Sequence, residues 1–305
     1  MSPAPIALQD VSRWFGNVVA VNNISFEIGP GITGLLGPNG AGKSTVLHML
    51  SGFLRPSSGE VLIDGKSAWL NPGMYHRVGL VPEREAVYPF LTGRELVRLA
   101  ARLQQLPDPD EAADRAIALV EMQPAADRAA GGYSKGMKQR IKVAAAIVHD
   151  PVILLLDEPF NGMDPHQRLQ MMSLLRDFAA EGRIILFSSH ILEEVERIAD
   201  EVLVVVAGRL AASGDFHQIR QLMTDRPHTF RLRTSDNRLL ASAMLGKESI
   251  FGVDLEKDSL MIRTADYGAF TRSIATLARA TGVTLFEVAP TDESLESVFS
   301  YLVRG

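Results

Sequence analysis

The run Gly37-Pro38-Asn39-Gly40-Ala41-Gly42-Lys43-Ser44-Thr45 constrains the fold of this chain more than any other feature. It fits the phosphate-binding pattern G-x-x-x-x-G-K-[ST]. Residues 32–36 before it, Ile-Thr-Gly-Leu-Leu, read as a short buried strand, and residues 46–50 after it, Val-Leu-His-Met-Leu, as the first turns of a helix. A loop of this kind wraps a phosphate because glycines free its backbone and turn its N–H groups inward. The N-terminus of the following helix adds a dipole that favours negative charge. Lys43 is placed to reach the β- and γ-phosphates and the Ser44 hydroxyl to ligate Mg²⁺. The motif in this context implies a bound nucleoside triphosphate, with Asn39, Gly40, Gly42, Lys43, Ser44 and Thr45 forming its cradle.

A length of 305 residues suggests one large domain or two smaller ones. The net charge of −5 argues against nucleic acid as the main partner, which usually requires a basic surface. Zero cysteines exclude disulfides, zinc–thiolate sites and thiol catalysis, and fit a reducing compartment. No apolar run approaches the roughly 18 residues of a membrane span. The longest candidate, residues 143–156, is broken by His149-Asp150-Pro151. The start, Met1-Ser2-Pro3-Ala4-Pro5, lacks the basic and apolar regions of a signal peptide. Work at a membrane would therefore depend on a partner.

Short apolar runs between residues 6 and 28 read as antiparallel strands, followed by strands at 60–65 and 77–82. The spacing turns helical over 93–106, 110–122, 134–149 and 165–181. Residues 152–156 and 184–188 are continuous apolar runs, as in parallel strands covered on both faces. Strands alternating with helices make this an α/β domain. Near residue 222 the character changes, and Thr224-Asp225-Arg226-Pro227-His228 reads as a linker. Beyond it the pattern predicts strand 229–234, helix 236–246, strands 250–255 and 258–264, helix 267–281, strand 283–289 and helix 292–303. That order matches a small ferredoxin-like α+β unit plus a final helix. The expected domains are 1–222 and 223–305.

Ile153-Leu154-Leu155-Leu156 lead into Asp157 and Glu158. Carboxylates at a strand end beside a phosphate loop lie where Mg²⁺ and an attacking water must sit. Asp157 is placed to hold the metal, and Glu158, one residue on, to polarise the water. His190, in Ser188-Ser189-His190, follows a core strand at the ligand-binding edge of the sheet, within reach of a γ-phosphate.

These residues resemble the ATP-binding subunit of an ABC transporter, of the exporter branch whose permease is a separate chain. The resemblance covers about residues 6–222, and the tail more loosely. Tyr133-Ser134-Lys135-Gly136-Met137 stands where the family signature Leu-Ser-Gly-Gly-Gln is expected, followed by Lys138-Gln139-Arg140 and a helix. Asn161-Gly162-Met163-Asp164 looks like the D-loop and His190 like the switch histidine. Phe15 stands where the family stacks an aromatic on adenine, with Trp14 an adjacent alternative. The resemblance implies a P-loop NTPase core with an antiparallel β subdomain and a helical signature subdomain. It implies ATP and Mg²⁺ as ligands and ATPase activity. It implies a head-to-tail homodimer in which Ser134 and Gly136 of one subunit complete the ATP site of the other. It also implies integral membrane permease subunits as partners and a place on the inner, cytoplasmic face of the cell membrane.

The chain departs from the family at Lys135, at Met137 and at Glu83, where glutamine is usual. A carboxylate at 83 can still ligate Mg²⁺ but adds negative charge beside the γ-phosphate. Val87, Tyr88, Phe90 and Leu91 are apolar for a loop and read either as part of the permease-docking groove or as cover for the core. The tail, 225–305, is expected to stabilise the dimer or regulate it. Two other function classes fit less well. Soluble ABC ATPases of translation or DNA repair usually carry two cassettes or a long coiled coil. A small-molecule kinase would leave the signature helix and D-loop unexplained.

Overall fold

In the computed structural model, which describes residues 6–84, 87–215, 228–245, 249–256, 258–264 and 266–290, the strand that leads into the phosphate loop is central. This strand, β3 (Gly31–Leu36), pairs in parallel with β8 (Ile184–Ser189) on one side and β9 (Glu201–Val206) on the other. Beyond β8 lie β7 (Ile153–Asp157) and β6 (Val78–Val81), also parallel. Beyond β9 lies β10 (Arg209–Gly214), antiparallel to it. The sheet order is therefore β10-β9-β3-β8-β7-β6.

The apolar runs in these strands are continuous because both faces are covered. Ile153, Leu155, Ile184, Leu186, Leu203 and Val205 join one core with Val46, Leu47, Met49 and Leu50 of α1 (Lys43–Leu50). Alternate residues Leu154, Leu156, Ile185 and Phe187 are equally buried. α5 (Pro165–Ala180) and α6 (Leu192–Ile198) pack against β3 and β8. Phe187 meets the edge of Phe160 at 5.7 Å between ring centroids. α6 is pinned by Glu194, whose buried carboxylate accepts from the Ser189 hydroxyl at 2.6 Å and lies 3.3 Å from Arg168 of α5. Burial pushes the Glu194 carboxyl above its ordinary range, against the opposing pull of Ser189 and Arg168.

The other wall of the α1 core is an antiparallel sheet in the order β2-β1-β4-β5. The short runs expected between 6 and 28 are in fact two long strands, β1 (Ile6–Phe15) and β2 (Val18–Ile28). Their pairing shifts register between Leu8 and Val11 and again on either side of Arg13, and Asp10 and Asn23 have left-handed backbones. Such irregularities break the two-residue alternation, so the sequence reads as fragments. β4 (Ser58–Ile63) and β5 (Lys66–Ser67) complete this sheet. Between β6 and β7 the chain forms α2 (Gly93–Leu103), α3 (Pro109–Leu119) and α4 (Lys135–Ile147). Thr92 and Glu95 close a reciprocal capping box at the start of α2. α6, β9 and β10 go beyond the sequence expectation. β10 alternates exposed and half-buried residues as an edge strand, which leaves it a weak pattern.

The chain divides into two compact units, Met1–Phe216 and His217–Gly305. The second contains β11 (His228–Thr234), α7 (Asn237–Met244), β12 (Ile250–Leu255), β13 (Leu260–Thr264), α8 (Tyr267–Thr281) and β14 (Leu285–Pro290). All strand pairs are antiparallel in the order β12-β13-β11-β14, the ferredoxin-like arrangement. Phe230, Leu232, Leu260 and Ile262 pack under Leu240, Met244, Phe270 and Ile274 of its two helices. The final helix predicted for 292–303 lies outside the described residues.

Two stability measurements follow. Phe187→Ala should cost about 3–5 kcal/mol, read as a lower urea midpoint at unchanged slope. A cost under about 1 kcal/mol would mean that the α5 face is not close-packed. Glu194 has a raised folded-state pKa, so its contribution is complete below the ordinary glutamate pKa and is lost as pH rises through the folded value. As pH rises from the ordinary glutamate range, Glu194→Gln should therefore gain stability relative to the parent chain, and a gap that ignores pH would contradict the burial argument.

Candidate functional site

The site begins where β3 ends. Gly37 donates its N–H to the Ser189 carbonyl at 3.3 Å, which ties the phosphate loop to the end of β8. Gly42 has a φ of 104°, and a Cβ there would lie 2.4 Å from the Ala20 carbonyl oxygen, so the position excludes side chains. Gly42 is also the N-cap of α1 and supplies no side-chain cap. The first-turn N–H groups of α1 have no intrahelical acceptor, which is the condition for holding a phosphate. Asn39 and Gly40 are exposed at the loop tip, and Ser44 and Thr45 are half-buried at the helix start.

Lys43 is buried and donates through Nζ to the Gly37 carbonyl at 2.7 Å and the Pro38 carbonyl at 3.3 Å. Its ammonium lies 3.5 Å from Oε1 of Glu158. Glu158 is buried just past β7 with a φ of 49°, a left-handed conformation costly for a residue with a side chain. The His190 Nδ1 lies 3.0 Å from both Glu158 carboxylate oxygens. The Ser188 hydroxyl donates to Oδ1 of buried Asp157 at 2.5 Å and accepts from the Glu158 N–H at 2.9 Å. The structure thus brings Lys43, Asp157, Glu158 and His190 together, three strands' ends converging on one loop. Sequence reasoning missed Ser188, although the pair of serines before His190 was the available signal.

No group of three or more His, Cys, Asp or Glu side chains among the described residues could hold a metal by itself. Asp157, buried and one residue before the Glu158 that meets Lys43, and Ser44, the hydroxyl next to Lys43 in the chain, are donors of the kind that suits Mg²⁺, which takes one or two protein oxygens and completes its shell with phosphate and water. Glu83 sits exposed in the loop after β6, outside the Lys43–Glu158–His190 chain of contacts.

Ser134 is the N-cap of α4 and accepts from the Met137 N–H at 3.2 Å. Asp164 caps α5 by accepting from the Gln167 N–H at 2.8 Å. Ser134 and Lys135 are exposed, so the α4 N-terminus is open to solvent. Gly136 is buried where α4 meets the start of α5, and a Cβ there would lie 2.3 Å from Gln167 Oε1. Phe15 and Trp14 are both about half exposed, and the Arg13 guanidinium lies 4.6 Å from the Phe15 ring centre. In the loop before α2, Tyr88 and Phe90 point outward, their rings 5.8 Å apart, while Val87 and Leu91 are half-buried. Tyr88 and Phe90 are therefore not core cover.

The family model of ABC transporters matches residues 21–161. The bacitracin transport ATP-binding protein of Bacillus licheniformis is 30% identical over 303 residues, 98% of this chain and 97% of that protein. The Nod factor export ATP-binding protein I of Burkholderia orbicola (strain AU 1054) is 38% identical over 228 residues, 72% of this chain and 73% of that protein. A solved ATP-binding subunit of an ABC transporter superposes with a TM-score of 0.65 at 28% identity, covering 72% of this chain and 92% of that one. A dimeric bacterial ABC transporter cassette shares the fold, with a TM-score of 0.65 at 23% identity, covering 69% of this chain and 98% of that one. With its phosphate loop, its strand-end carboxylates and a relative 30% identical along 98% of its length, this chain belongs to the ABC transporter family as one of its ATP-binding ATPase subunits.

Proposed function

We propose that the chain hydrolyses Mg-ATP in a head-to-tail homodimer and drives export through a separate integral membrane permease, on the cytoplasmic face of the cell membrane. The observation that carries this reading is the split of the site. Lys43, Asp157, Glu158 and His190 meet within one chain, whereas the α4 N-terminus, with Ser134 as its cap, opens to solvent. An exposed helix N-terminus suits the γ-phosphate held by a second copy.

In this reading the backbone of Asn39, Gly40, Gly42 and Thr45, with the Lys43 ammonium, holds the phosphates. Ser44, Asp157 and Glu83 would hold Mg²⁺, which would supply positive charge to offset that of the bound phosphates. Glu158 takes the proton of the attacking water, and His190, 3.0 Å away, fixes the orientation of its carboxylate. Phe15 stacks on adenine, Ser134 and Gly136 donate to the partner's γ-phosphate, and Asp164 places the start of α5 at the subunit interface. Exposed Tyr88 and Phe90 offer an apolar contact to the permease. Residues 1–222 act as the cassette and 223–305 as an accessory unit for dimerisation or regulation. The relatives named for bacitracin transport and Nod factor export support the exporter assignment. The net charge of −5 supports a reading without nucleic acid.

Steady-state phosphate release tests the assignments. Glu158→Gln should lower kcat by about 10²–10⁴-fold with little change in the KM for ATP, the pattern of a lost general base. Lys43→Ala should instead weaken ATP binding itself. A Glu158→Gln variant that hydrolyses at the parent rate would sink the assignment of the base. Coexpression with a candidate permease should yield a copurifying complex that Tyr88→Asp with Phe90→Asp disrupts while the isolated chain keeps its ATPase rate.

A further inference from the structure

Two buried polar side chains on α4 reach the ends of strands that carry the chemistry. Gln139 donates its amide to the Glu158 carbonyl at 3.4 Å. Lys142, 6% exposed and one turn further along, donates through Nζ to three consecutive carbonyls. These are Pro82 at 2.7 Å, Glu83 at 3.3 Å and Arg84 at 3.4 Å. A buried ammonium is costly unless its donors are satisfied, and it carries three. Three successive carbonyls turned toward one cation leave the backbone of residues 82–84 few other conformations. The middle residue of the three is Glu83.

We infer that Lys142 is a positioning residue: by gripping the backbone of residues 82–84 it sets where the Glu83 carboxylate stands and ties that loop to the signature helix. The inference rests on the reading of Glu83 as part of the nucleotide site. Eight residues separate Ser134 from Lys142, about 12 Å of rigid α-helix. One end of this lever serves the partner's nucleotide and the other holds a loop of the chain's own site. The positive charge beside the Glu83 backbone also offsets the negative charge that a carboxylate brings to this position in place of an amide. An apolar residue at 142 would pack against the same neighbours but leave three carbonyls without their cation.

The test is a double-mutant cycle on the full chain, measuring kcat and KM for ATP with Mg²⁺ in the parent, Lys142→Met, Glu83→Gln and the double variant. Lys142→Met should lower kcat by about tenfold and leave KM within about threefold, because the phosphate loop is untouched. The double variant should lose no more than the larger single loss, the signature of two residues acting through one element. Lys142→Arg keeps a cation and should recover part of the rate, which a merely space-filling role would not predict. Should Lys142→Met fail to fold, Lys142→Gln, which keeps a donor, replaces it in the cycle. Additive losses, or a kcat for Lys142→Met within twofold of the parent while Glu83→Gln alters it, would overturn the inference and leave the reading of Glu83 intact. A Glu83→Ala variant with unchanged kcat and KM would overturn the reading of Glu83 as part of the nucleotide site and this inference with it.

Discussion

The buried approach of Lys43 to Glu158 is the interaction around which this molecule is arranged. An ammonium and a carboxylate stand 3.5 Å apart with almost no exposure to water. Burying such a pair is rarely a route to stability, because desolvation offsets most of the attraction. The fold supports it with neighbours. The Gly37 and Pro38 carbonyls take the lysine's donors, His190 approaches the glutamate, and Ser188 bonds both Asp157 and the Glu158 backbone. Each neighbour comes from the C-terminal end of a parallel strand, so the site exists only because β3, β8 and β7 lie side by side. The left-handed backbone of Glu158 is a local cost of turning its carboxylate toward the loop.

The same sheet decides what the chain leaves outward. The helices between β6 and β7 end in α4, whose N-cap Ser134 is exposed while Gln139 and Lys142 reach back into the chain. A single helix therefore joins an exposed N-terminus to the backbone of Glu158 and of residues 82–84. Gly136 lies in the first turn of this helix, where a Cβ would displace the Gln167 side-chain amide and crowd the Gly162 carbonyl. In a head-to-tail pair of such chains, ATP held by one subunit would be read by the other through a rigid element, and differential affinity for the closed pair would be the source of work.

Much of this was legible in the sequence, for identifiable reasons. The phosphate loop is legible because its chemistry demands glycines and a lysine at fixed spacing. β7 and β8 are legible because strands buried on both faces must be apolar throughout. The ferredoxin-like unit was legible from the order of its patterns, and its Asp236 and Asp266 caps mark both helix starts. Other features were hidden. β1 and β2 read as fragments because bulges break their alternation. The partners of Ser188, Gln139 and Lys142 are hidden because a polar residue inside an apolar pattern gives no sign of its partner until the fold supplies one. Lys142 finds its carbonyls 58 to 60 residues earlier in the chain, a distance no local pattern spans.

The central claim, that each nucleotide site is completed by a second copy of the chain, is tested most directly by the oligomeric state of Glu158→Gln on a size-exclusion column. With hydrolysis blocked, the variant should run as a monomer without nucleotide and as a dimer with ATP and Mg²⁺. Adding Ser134→Arg to the same chain should return it to a monomer. An elution volume that ignores ATP, or a dimer that persists with Ser134→Arg, would contradict the composite site.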